Sequence, residues 1–217
     1  MITSEEQARA WIQATFDVSR ETLERLEAFS ALLGEENERQ NLVSRTTLQS
    51  VWSRHIADSA QLLLHAPDPK SSWLDLGSGA GFPGLVVALL HGGPVTLVES
   101  RKLRVDFLQR AAGVLGASPV IRCARVERLD HAAFDVISAR AFAPLPELLR
   151  LSHSFSTEKT RWILPKGRSA AEELEAARAT WQGEFRLVPS LTDADARIII
   201  AEGVRPRTGR RRRREKA

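Results

Sequence analysis

One stretch constrains this chain more than any other: Trp73-Leu74-Asp75-Leu76-Gly77-Ser78-Gly79-Ala80-Gly81-Phe82-Pro83-Gly84. A short apolar run ends in a glycine-dense turn, and a helical pattern (Leu85, Val86, Val87, Leu89, Leu90) follows at once. Strand, loop and helix in that order make a place where backbone, not side chain, meets a ligand. Glycine permits φ > 0 and close approach, and Pro83 suits the first turn of a helix, where its missing N–H leaves no bond unmade. Open N–H groups together with the helix dipole then predict a seat for an anionic group.

From Trp73 onward, apolar strands alternate with amphipathic helices. Strands are expected at Val95–Glu99, Val120–Cys123, 134–138 and 161–164, with helices over about 102–115, 146–155 and 170–181. That alternation predicts a mostly parallel sheet with helices on both faces. Two last strands, 185–189 and 197–201, have no helix between them and should pair antiparallel. Before Trp73 the periodicity is helical over 4–15 and 20–40, and again from a cap at Thr46 or Thr47 to about His65. The expected organisation is a helical cap at 1–69, an α/β core at 70–204 and a disordered arginine-rich tail at 205–217.

Charge is unevenly placed. The formal net charge is +4, but residues 205–217 carry eight Arg/Lys and one Glu, so the remaining 204 residues hold 23 basic and 26 acidic side chains. A basic footprint on the body must therefore come from local clustering. The single cysteine, Cys123, excludes a disulfide framework and a cysteine-based zinc site, and its strand position suggests packing. The acidic start, Thr3-Ser4-Glu5-Glu6, does not resemble a signal peptide, and no apolar run reaches membrane-spanning length. The expectation is a cytoplasmic, monomeric protein with no metal.

Two cofactors compete for the glycine loop. Gly79-Ala80-Gly81-Phe82-Pro83-Gly84 satisfies the dinucleotide pattern G-x-G-x-x-G. The fuller pattern, Asp75-x-Gly77-x-Gly79-x-Gly81, resembles motif I of S-adenosylmethionine (SAM) methyltransferases and favours SAM over NAD. Glu99, ending the next strand, suits the ribose hydroxyls of either.

Further stretches are similar to one family, the bacterial small-subunit rRNA guanine-N7 methyltransferases, also called the RsmG or glucose-inhibited division protein B family. They are Asn41-Leu42-Val43-Ser44, Arg54-His55-Ile56-Ala57-Asp58-Ser59, Asp75–Gly84 itself, Arg104-Val105-Asp106-Phe107-Leu108, Arg125-Val126-Glu127, Ser138-Ala139-Arg140-Ala141-Phe142-Ala143 and Lys166-Gly167. Glu35-Glu36-Asn37 departs from the Lys-Trp that many members carry, and Glu99 stands where many have aspartate. The resemblance implies a Rossmann-like class I SAM-dependent methyltransferase with a seven-stranded sheet, acting on N7 of a guanine in 16S rRNA or the small ribosomal subunit.

It also implies site residues. Asp75, Gly77, Gly79, Phe82, Glu99, Val126, Glu127 and Arg140 would bind the cofactor, with Gly77 giving backbone approach, Phe82 walling the methionine end, and Glu127 and the Val126 N–H reading the adenine. Arg54, His55 and Lys166 would touch RNA, although Arg54 and Asp58, four apart, can equally pair with each other, and Lys166 can simply end its strand. No catalytic residue is assigned, since N7 has a lone pair and no proton to remove. A small-molecule or protein methyltransferase, or a non-catalytic RNA-binding protein, are the other readings.

Overall fold

The computed structural model describes residues 1–207. Seven strands form one sheet in the order β3-β2-β1-β4-β5-β7-β6: β1 Trp73–Leu76, β2 Val95–Glu99, β3 Val120–Cys123, β4 Val136–Ala139, β5 Arg161–Lys166, β6 Trp181–Pro189 and β7 Arg197–Pro206. Strands β1 to β5 pair in parallel, and β7 runs antiparallel to both β5 and β6. The four residues of β1 are all buried, as expected of a central parallel strand covered on both faces. Strand order reverses across β1, so its C-terminal end, at Gly77, is the switch point where such sheets bind ligands.

Helices α5 (Gly84–Leu90) and α6 (Lys102–Leu115) cover one face, and α7 (Leu145–Ser152) and α8 (Ala170–Arg178) the other. The N-terminal helices α1 (Glu5–Phe16) and α2 (Arg20–Gln40) pack on the α5–α6 side. Ile12, Leu26, Phe29 and Leu33 are fully buried there, and Phe29 meets Phe82 at 5.3 Å and Phe107 at 6.4 Å between ring centroids. The cap and the sheet thus share one apolar core.

Between α2 and β1 the expected single helix is broken. Ser44, not Thr46 or Thr47, caps a short α3 (Arg45–Leu48), its Oγ accepting the Thr47 N–H. A π-helical turn at Trp52–Ala57, a turn of α-helix at Asp58–Ala60 (α4) and a 3₁₀ turn at Gln61–His65 follow. The π turn is held from outside: the Glu5 carboxylate on α1 accepts the N–H groups of Trp52 and Ser53 and the Ser53 hydroxyl, each at 2.9 Å. Widened turns of this kind gather at functional sites, and this one carries Arg54 and His55.

Two other expectations change. The tail boundary at 204 cuts a strand: Pro206 pairs with Trp181, and the Arg207 N–H donates to the Thr180 carbonyl at 2.8 Å. Residues 208–217, the rest of the expected disordered tail, lie outside the described residues. Cys123 is exposed on edge strand β3, not packed. Among the described residues, no helix is long and apolar enough to cross a membrane.

Candidate functional site

The glycine loop spends its own donors. The N–H groups of Gly77 and Ser78 both point to the Val98 carbonyl (2.9 and 3.1 Å), that of Gly81 to the Ser78 carbonyl (2.7 Å), and that of Gly79 to Glu99 Oε2 (3.1 Å). These four donors are therefore turned inward, and the loop already holds a carboxylate of its own. Positive φ is required at Gly77 (69°), Gly79 (52°) and Gly81 (90°) to make these bonds. Glu99 is fixed from both ends, since Oε1 accepts the Arg101 N–H at 2.9 Å.

Two cavities open at the C-terminal edge of the strands. The smaller, of 410 Å³, is lined by Gly77, Glu99, Arg101, Arg125, Val126 and Glu127 among others. The larger, of 790 Å³, takes its walls from the cap (Leu42, Val43, Arg54, His55), the β4–α7 loop and β5 (Pro165, Lys166), and from Ile198 of β7. Ala141 and Phe142 line both, so this loop after β4 is the partition. Ala141 has φ 51°, unusual for a residue with a Cβ, and Phe142 rests over Gly77: a Cβ on that glycine would lie 2.5 Å from the ring.

Gly77, Glu99, Val126 and Glu127 come together on the smaller cavity as expected. Val126 opens a 3₁₀ turn, so its N–H has no partner within it. Asp75, Gly79 and Phe82 line neither cavity. Phe82 is buried, stacked on His55 (5.0 Å, 19° between planes) and lying under the Arg140 guanidinium (5.2 Å). It is a packing hub between loop, cap and the residue after β4, because Phe29, His55 and Arg140 all lie against it, a meeting of cap and loop that the sequence does not show.

Asp75 is sealed at the end of β1. The Trp73 indole N–H donates to Ser138 Oγ (2.8 Å), whose hydroxyl donates to Asp75 Oδ1 (2.7 Å). Asp75 Oδ2, close to Gly84, has no hydrogen-bond partner among the described residues. Burial raises its pKa to about 6, and the Ser138 hydrogen bond only partly offsets this.

Arg140 lines the larger cleft and not the smaller cavity. One guanidinium nitrogen donates to His55 Nδ1 at 3.1 Å and lies 3.5 Å from Asp58 Oδ2. His55 must therefore carry its proton on Nε2, which is buried and unpartnered. Burial, then the charges of Arg140 and Arg54, lower its pKa to about 3, so the ring is neutral at physiological pH. The local Arg54–Asp58 pair does not form: Arg54 bonds Asp193 across the cleft at 2.8 Å, which holds the Asp193 carboxyl below its usual range. Lys166 bonds Glu173 (2.7 Å) and the Ala143 carbonyl (3.0 Å), bracing the partition loop from β5.

Sequence reasoning missed Arg101 and Arg125 at the smaller cavity and Phe142 at the junction. Arg125 and Phe142 stand inside stretches that carry the resemblance and Arg101 two residues past Glu99, but only the fold shows which of them face a cavity. Among the described residues, no cluster of His, Cys, Asp or Glu could hold a metal ion.

A family model described as rRNA small subunit methyltransferase G matches residues 22–197. Two relatives called ribosomal RNA small subunit methyltransferase G are similar along nearly their whole length. That of Rhizorhabdus wittichii is 52% identical over 95% of this chain and 96% of its own. That of Zymomonas mobilis is 48% identical over 93% and 95%. Among solved structures, a TehB-like SAM-dependent methyltransferase from Corynebacterium glutamicum superposes with a TM-score of 0.57 at 15% identity, covering 77% of this chain and 97% of that one. At that identity the likeness speaks for the fold.

Proposed function

The chain belongs to the rRNA small subunit methyltransferase G family, and we propose that it transfers the methyl group of SAM to N7 of a guanine in 16S rRNA. The observation that carries this is the pair of cavities meeting at Ala141–Phe142 over Gly77. One suits a nucleoside and the other is large enough for an extruded base. NAD is disfavoured by Glu99: its carboxylate takes the Gly79 N–H where a pyrophosphate would need a donor.

SAM fits the smaller cavity. Gly77 supplies a floor that any side chain would fill, Glu99 is held with lone pairs left for ribose hydroxyls, and Val126 and Glu127 offer a donor and an acceptor to an adenine edge. Asp75, Gly79 and Phe82 act from behind: Gly79 holds Glu99, Phe82 holds His55 and Arg140, and Asp75 ties β1 to β4. When bound, SAM supplies an electrophilic methyl on a sulfonium. The chain's own part is placement. N7 brings a free lone pair, so no side chain need remove a proton. Neutral His55 adds no positive charge beside a cationic cofactor, and Asp58 and Asp193 balance Arg140 and Arg54 across the cleft. In-line positioning of this kind is worth ~7–11 kcal/mol in favourable cases. N7 in an A-form helix lies in a groove side chains cannot enter, so the target guanine is in a loop or flipped out.

The substrate is naked 16S rRNA or the small subunit, met in the cytoplasm by a monomer. The test is incubation of the protein with labelled SAM and each substrate, followed by mapping of N7-methylguanine through its aniline-sensitive strand scission. One RNA-dependent scission at a guanine is expected. Label on protein or small molecules, or on another base atom, would overturn the reading.

A further inference from the structure

The cations around the larger cleft fall into two groups. Four line it, and three of these face an acid: Arg54 with Asp193, Arg140 with Asp58, and Lys166 with Glu173. The fourth, Arg197, donates to the carbonyls of Ala194 and Ala196 at 2.7 and 2.8 Å. The rest of the lining is largely apolar, with Leu42, Val43, Phe142, Pro144, Pro165 and Ile198. A phosphate entering here would have to take a cation from its carboxylate or, at Arg197, from two carbonyls. An uncharged aromatic base would not.

The second group stands at the lip. Arg45 follows lining residue Ser44, and Arg168 follows lining residue Gly167. Both are exposed, and neither makes an ion pair or side-chain hydrogen bond among the described residues. They come from different parts of the fold, α3 of the cap and the turn between β5 and α8, each next in sequence to a residue that lines the cleft.

We infer that Arg45 and Arg168 bind the RNA phosphates flanking the target nucleotide, while the neutralised interior receives its base. This rests on the reading of the protein as an rRNA methyltransferase, and it moves the phosphate contacts away from Arg54 and Lys166, whose charges are already committed inside the protein. A free arginine at the lip loses only water when it meets a phosphate, and the released counterions favour binding.

The test uses the full chain and a 16S rRNA transcript, with binding followed at several salt concentrations. R45E/R168E should weaken RNA binding about tenfold or more, and R45Q/R168Q should flatten the log K versus log[salt] slope by about 1.4, at ~0.7 per phosphate on a single strand. K159E makes the same charge reversal at an exposed site beyond the opposite end of β5 and should leave affinity near that of the parent. SAM affinity, measured by calorimetry, should be unchanged in every variant, which also reports that each is folded. A slope equal to the parent's in R45Q/R168Q, or an equal loss in K159E, overturns the inference while leaving methyl transfer intact. A parent protein that does not bind the transcript removes both the inference and the reading beneath it.

Discussion

Asp75 shows what a single side chain costs. Its carboxyl is fully buried with one oxygen unpartnered, and its pKa is raised to about 6. A raised acid pKa means the folded state holds a proton that the unfolded chain has released. Stability from this group is therefore full below about pH 4 and is lost as pH rises through about 6. The order of magnitude is at most ~3 kcal/mol, at ~1.4 kcal/mol per pH unit. Asp75→Asn keeps an acceptor for Ser138 and should raise the Tm above pH 7, with a smaller gain at pH 5. Parallel Tm–pH curves for the two proteins would refute this. Gly77 is constrained twice, by φ 69° and by Phe142 at 2.5 Å from a built Cβ. Gly77→Ala should cost ~1–3 kcal/mol by denaturant unfolding and weaken SAM binding. Adding Phe142→Ala should recover the packing part of the loss only. Full recovery of stability in the double variant would mean the backbone strain is small. The glycines were legible from the sequence because positive φ leaves few alternatives. That Phe82 would pack and Phe142 would sit at the junction was not, since both are aromatic residues in loops and only the neighbours they meet tell them apart.

At the scale of elements, the site depends on a join made far from it. Glu5 on α1 holds the N–H groups of Trp52 and Ser53, and two residues later come Arg54 and His55. Glu5→Ala should cost ~1–2 kcal/mol, as loss of a charged cap does, and should lower kcat for RNA methylation without changing SAM affinity. Unchanged kcat alongside a reduced Tm would confine Glu5 to stability. The Glu36 departure from the family pattern also finds its use here: Arg110 on α6 bonds it at 2.7 Å, while Asn37 Oδ1 accepts the Val43 N–H at 2.8 Å. This end of α2 fastens the cap to the core. The parallel series β1 to β5 and the closing antiparallel pair were legible because apolar runs and turns mark them directly. The break into α3 and a π turn was not, because its cause is a carboxylate 47 residues away from Trp52.

For the whole molecule, the boundary of the folded body decides how any shortened form behaves. Since β7 runs to Pro206 and Arg207 bonds both the Thr180 and Trp181 carbonyls, truncation after Val204 removes sheet pairing and truncation after Arg207 does not. The shorter protein should melt measurably lower than the longer, and the longer should match the full chain in Tm and SAM affinity. Equal melting of the two truncations would show that the last pairs of β7 contribute nothing. The charge pattern missed this boundary because Arg205 and Arg207 read as part of the basic run, whereas the end of β7 leaves Arg205 exposed and sets the Arg207 side chain against the Trp181 carbonyl.

Because Ala141 and Phe142 are a wall of both cavities, the two ligands cannot be thermodynamically independent if either moves that wall. Whatever factor the cofactor imposes on RNA affinity, RNA must impose on cofactor affinity, and the same reciprocity binds the demethylated product to the modified RNA. How that shared factor differs between the entering pair and the leaving pair sets which pair the protein holds more tightly.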